Sequence, residues 1–132
     1  MRTFYLSLLL LVTLNGCVDA DPFGLRQRDI VGDYALKQWE DFTTYYLEDS
    51  KKEYEDFPDH GPIGGTVVQI GWDDDYIVIQ RNAHFGGTID EWMIVDVSTK
   101  EVRGPFDWEE LMLTEELGEI EIHKAADAWE LL

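Results

Sequence analysis

Cysteine is almost missing from this chain: Cys17 is the only one. That excludes an internal disulfide, a second thiol nucleophile and any cysteine-rich metal site. Basic residues are also scarce, ten Lys and Arg against 28 Asp and Glu, for a formal net charge of −18. A surface of that sign repels phosphates, so nucleic acid is not an expected partner. It equally opposes lying flat on an anionic membrane. Only three histidines occur, His60, His84 and His123, too far apart in sequence to form a ligand pair on one element. No cofactor and no metal is expected. No apolar run reaches the roughly 20 residues needed to span a bilayer.

What apolar run there is lies at the start. Met1-Arg2 precedes Phe4–Leu14 (FYLSLLLLVTL), and the run ends in Leu14-Asn15-Gly16-Cys17. A short positive start, a brief apolar stretch and a small-residue cleavage site have the form of an export signal. The last four residues resemble the lipobox of bacterial lipoproteins: an aliphatic residue, a small or polar one, Gly or Ala, then the acceptor Cys. The resemblance implies that residues 1–16 are removed and that Cys17 receives diacylglycerol. The protein would then be anchored by lipid in the bacterial cell envelope. Two or three acyl chains hold stably where one binds only marginally. Val18 after the Cys favours the outer membrane where the host has one. Arg2 is the leader's only charge, so the mature chain is more acidic still.

Asp19–Arg28 (DADPFGLRQR) carries Pro22 and Gly24 and reads as a tether. The lipidated N-terminus and tether cover 17–30, and one domain covers 31–132. Within it, Tyr34–Trp39 alternates as a half-buried strand, and Thr43–Leu47 is β-branched and aromatic. Residues 49–65 are polar and turn-rich. Thr66–Trp72 and Tyr76–Arg81 flank Asp73-Asp74-Asp75 and read as a hairpin. Glu91–Val97 and Glu101–Arg103 make a second one, stopping at Gly104-Pro105. Asp107 and Glu110 have capping-box spacing, which predicts a helix over Trp108–Leu117 closed by Gly118. A short strand over Glu119–His123 and a last helix over Ala125–Leu132 complete the chain. The expected fold is α+β: an antiparallel β-meander of five to seven strands with one or two C-terminal helices.

The stretches GWDDDYIVIQR and EWMIVDVSTKEVRGPFDWEEL resemble the core of a group of small bacterial lipoproteins of unknown function. The shared features are the hairpin over Gly71–Ile77 and the hairpin over Trp92–Pro105 followed by a helix. The resemblance implies the fold just described and brings no activity.

Chemistry is harder to find. Consecutive Asp73, Asp74 and Asp75 lack the alternation, glycine and terminal Glu of a calcium loop. A solvated turn explains them, since Asp favours turns. Ser50 and Ser98 have no nucleophile-elbow context. An enzyme is therefore the least expected class. Trp39, Trp72, Trp92 and Trp108 are expected mostly in the core. The Gly86-Gly87 loop, with His84 and Phe85, is where an exposed aromatic is expected. The leading expectation is a non-enzymatic, acidic protein-interaction module of inhibitor or immunity type that meets a basic protein partner. Its candidate surface is Asp73, Asp74, Asp75, His84 and Phe85. The alternative is a module binding a small ligand or glycan on an aromatic-bearing sheet.

Overall fold

The computed structural model describes residues 26–52, 61–82 and 91–132. Strands β1 (Arg26–Val31), β2 (Tyr34–Gln38) and β3 (Tyr45–Asp49) form a three-stranded antiparallel sheet in that order. Strands β4 (Thr66–Trp72), β5 (Tyr76–Asn82), β6 (Glu91–Asp96) and β7 (Val102–Phe106) form a meander. The two-residue β8 (His123–Lys124) returns to the outer edge of β4, giving a second sheet ordered β7-β6-β5-β4-β8. Helices α1 (Trp108–Met112) and α2 (Ala125–Leu131) follow β7 and β8. The α+β class and the meander are as expected; the division into two sheets was not foreseen.

Side chains alternate between the two faces of a strand. On β5 and β6 both faces are apolar. Ile77 and Ile79 lie opposite Val95 and Met93, and all four enter a core shared with Tyr34, Leu36, Tyr45 and Leu47 of the small sheet. Helix α2 closes that core with Ala125, Ala128 and Trp129. On the other face, Val78 and Ile94 are joined by Trp92, Leu111 and Leu117. The five-stranded sheet is therefore the middle of three layers. Coverage of both faces explains why YIVI and WMIV read as nearly unbroken apolar runs.

Five sequence expectations shift, the first being the short strand expected over Glu119–His123, which is confined to His123–Lys124. The strand β1 begins at Arg26, so residues 26–30, assigned to the tether, pair with β2 instead. Arg28 packs its guanidinium over the Trp129 ring at 4.5 Å and donates to the Trp129 carbonyl, joining the first strand to the last helix. Strand β3 starts at Tyr45 rather than Thr43, because the Asp41 carboxylate accepts the amides of Thr43 and Thr44 at 2.9 Å and holds both in a turn. Strand β7 runs on through Gly104-Pro105 to Phe106. The helix expected over Trp108–Leu117 stops at Met112, and Glu115–Leu117 is a separate 3₁₀ turn. Leu111 and Leu117 both enter the same core. On one continuous helix they would point about 120° apart at 3.6 residues per turn. The break at Leu113–Thr114 lets both face the sheet.

One ionic contact ties the sheets together at their far end. Lys100, in the turn after β6, places Nζ 3.1 Å from Asp33 Oδ2 and 3.0 Å from Asp49 Oδ2. Asp33 and Asp49 belong to the small sheet, and the Asp49 side chain is only 1% exposed. Burial pushes the Asp49 carboxyl up, but the Lys51 amide and the Lys100 ammonium outweigh it, leaving its pKa below the usual carboxylate value. Hydrogen bonds to Asp49 and Asp33 hold the Lys100 ammonium above its usual value. The depressed Asp49 group stabilises the fold above its unfolded pKa of about 3.9 and loses that contribution as pH falls through its lower folded value. The raised Lys100 group contributes fully below its unfolded pKa of about 10.4 and stops contributing as pH rises through its higher folded value. Lys100→Met is therefore expected to lower the denaturation midpoint at pH 7. The gap from the parent should close in acid below the Asp49 range, as read from urea unfolding at several pH values.

Candidate functional site

The site starts from how β7 ends. Phe106 lies opposite Trp92 on β6, so the chain leaves the sheet beside the Trp92 side chain. Gly104 permits that path: a Cβ there would sit 2.7 Å from the Trp92 carbonyl oxygen, and its φ is +129°. Asp107 then caps α1, its Oδ1 accepting the Glu110 amide at 2.8 Å. The cap sets Trp108 at the first position of the helix. Its ring lies 4.9 Å from that of Trp92, at an angle of 51°. Trp92 is buried, whereas Trp108 is 47% exposed.

Beside this pair, Gln69, Gln80 and Trp92 stand directly opposite one another on β4, β5 and β6. Gln69 donates from Nε2 to Gln80 Oε1 at 2.7 Å. The amides, the two indoles, Ile122 and the carboxylate-bearing Asp107 and Glu109 enclose a cleft of about 730 Å³. Among the described residues no Lys, Arg or His lines it. A smaller groove of about 490 Å³ runs between the start of β3 and β4, lined largely by threonines, Val67, Val68 and Ala125. It gathers no comparable set of charged and aromatic groups.

The cleft continues onto an exposed apolar strip. Trp108 and Met112 are four residues apart and so share one side of α1. Met112 is 57% exposed, and Leu113 beside it is 81% exposed. In the same stretch of chain, Asp107, Glu109, Glu110, Glu115, Glu116, Glu119 and Glu121 are all exposed. No basic residue occurs between Gly104 and Ile122. Arg103, just before, pairs with Glu116 at 2.9 Å.

The expected surface lies elsewhere. Asp73 spends its carboxylate on its own hairpin, accepting the amides of Asp75 and Tyr76 at 2.8 Å. Asp74 and Asp75 are exposed, but that turn precedes β5, whereas Gln80 and the cleft lie toward the other end of the strand. The structure does not bring the three aspartates to the cleft. Cys17, His60, His84 and Phe85 lie outside the described residues. His123 packs its ring 6.3 Å from Trp72. Among the described residues no three His, Cys, Asp or Glu converge in a manner that could hold a metal ion. Among them, too, no helix is long and apolar enough to cross a membrane.

The tryptophan expectation is corrected. Of the four expected mostly inside, Trp92 is buried and Trp72 packs partly against the core, but Trp39 and Trp108 are more than a third exposed. Trp129, which carried no expectation, is a core residue. Two signals in the sequence point to the site. One is the run of seven acidic residues without a base from Asp107 to Glu121. The other is Trp108 directly behind an N-cap, at the first turn, where a side chain has few helical neighbours.

No protein-family model matches the chain, and no curated protein or solved structure does either.

The two tryptophans should separate on substitution. Trp92→Ala empties a buried site and is expected to cost about 3–5 kcal/mol. Trp108→Ala removes a half-exposed ring and one aromatic contact, and is expected to cost about 1 kcal/mol. Urea denaturation of both variants measures the contrast.

Proposed function

We propose that this chain is an envelope lipoprotein, acylated at Cys17, whose domain is a non-enzymatic module that docks a basic protein partner. The docking surface is the α1 face. The observation that carries the reading is the exposure of Trp108, Met112 and Leu113 within a stretch, Asp107–Glu121, that holds seven exposed acidic residues and no basic one. Protein interfaces favour an aromatic or apolar anchor inside a polar rim. An anchor of this kind supplies affinity, and a rim of one sign supplies fast encounter with a partner of the other. Inhibitors and immunity-type proteins work in that way. The lipobox Leu14–Cys17 and the apolar run before it support the anchor, and Val18 supports a place at the outer membrane where the host has one.

Capture from detergent-solubilised envelopes of the native host tests the reading. The parent should retain one stoichiometric basic protein at low salt and release it at high salt, because exposed charges are screened within about 8–10 Å at physiological ionic strength. Glu109→Lys with Glu110→Lys should abolish capture, and Asp74→Lys with Asp75→Lys should leave most of it. Capture that ignores both pairs of substitutions would contradict the reading. In the same cells, palmitate should label the parent and not Cys17→Ser; equal labelling would remove the anchor from the proposal.

A further inference from the structure

We propose that the cleft beside Trp108 is a receptor for one guanidinium, supplied by an arginine side chain of the partner. The proposal rests on the protein-docking reading for the source of that arginine, but the cleft's own chemistry selects the group. Its lining offers a half-exposed indole, two carboxylates and a pair of amides, and among the described residues no basic side chain lines it. The hydrogen-bonding inventory is biased toward acceptors. Asp107 accepts the Glu110 amide on Oδ1, so its Oδ2 keeps the capacity to accept a second donor. Glu109, two residues on, is exposed. Gln69 donates one N–H from Nε2 to Gln80 Oε1, and its carbonyl oxygen is an acceptor.

A guanidinium answers this set better than the other groups that fit such a space. It is planar, so it can lie on the Trp108 ring, and it carries five donors in its own plane for the acceptors at the rim. A lysine ammonium brings the same charge as a point, without a flat face and with stronger hydration. A saccharide would also stack on indole, but it brings no charge to Asp107 and Glu109. The support beneath the ring is rigid. Trp108 rests on buried Trp92, and Trp92 sits in a ladder row with Gln80 and Gln69. Gln69, Gln80 and Asp107 are thus placed by strand register and by the α1 cap before any ligand arrives, which lowers the ordering cost of binding.

The test is an NMR titration of the full chain in detergent, following the tryptophan indole N–H signals. The probes are N-acetyl-arginine amide, N-acetyl-lysine amide and N-acetylglucosamine. The arginine probe should shift the Trp108 signal saturably and bind more tightly than the lysine probe, which lacks the flat face and the in-plane donors. Trp108→Ala should abolish the effect, while Asp107→Asn and Glu109→Gln should each weaken it. Asp74→Lys should leave it unchanged. Equal shifts with arginine and lysine, no saturable shift with arginine, or saturation by N-acetylglucosamine alone would each overturn the assignment. Envelope capture that persists when arginine binding fails overturns only the guanidinium assignment. Arginine binding without capture overturns only the protein-partner reading.

Discussion

Burial of β5 and β6 on both faces is the constraint from which the rest of the structure follows. A strand buried on one side needs a single covering layer; these two need one on each side. The small sheet and α2 cover the first face through Leu36, Leu47 and Trp129. The short α1 and the 3₁₀ turn cover the second through Leu111 and Leu117. Because α1 has only five residues and must give Leu111 to the sheet, its remaining apolar side chains face outward. Trp108 is left propped on Trp92 at the edge of the covered area, and the cleft is the gap between that edge and the row of glutamines. The candidate site is thus a by-product of how little helix is available to cover the sheet.

Acidic residues serve two purposes that sequence alone does not separate. One set builds turns. Asp41, Asp73 and Asp96 each accept the amides two and three residues ahead, closing three connections with the same local geometry. Hydrogen bonds, chiefly from the Thr44 hydroxyl to Asp41 and from the Thr99 amide to Asp96, hold both of these carboxyls below the usual range. Asp49 belongs here too, since with Lys100 it joins the two sheets. The other set, from Asp107 to Glu121, is exposed, and of its seven members Asp107 caps a helix and Glu116 pairs with Arg103. The charge there is concentrated where the apolar strip is exposed. That coincidence, rather than the overall net charge, argues for a docking surface.

The central strands were legible because their signal is local. TVVQIGW and YIVIQR are β-rich runs separated by Asp73–Asp75, and the structure bounds β4 and β5 within a residue of them. The layering was not legible, since nothing in RQRDI marks it as a strand: its side chains are mostly exposed, and its place is set by pairing with β2 and by Arg28 reaching Trp129. The capping-box spacing and Gly118 mark the ends of the expected helix but not its interruption, and Leu117 reaches the sheet beside Leu111 only because the helix breaks at Leu113–Thr114. Asp73–Asp75 drew notice as a compact cluster, whereas the longer acidic run from Asp107 to Glu121, interrupted by Trp, Leu and Met, carries the site. A tryptophan's exposure depends on which layer ends beside it, and that is a tertiary property.

Photo-crosslinking in living cells of the native host tests the central claim most directly. A photoreactive residue at Met112, on the exposed side of α1, should yield one prominent adduct with a basic envelope protein. The same residue at Asp74, at the far end of the sheet, should yield none. An adduct formed from position 74 and not from 112 would contradict the assignment of the docking surface to α1, and crosslinking from neither would contradict a protein partner on either acidic surface.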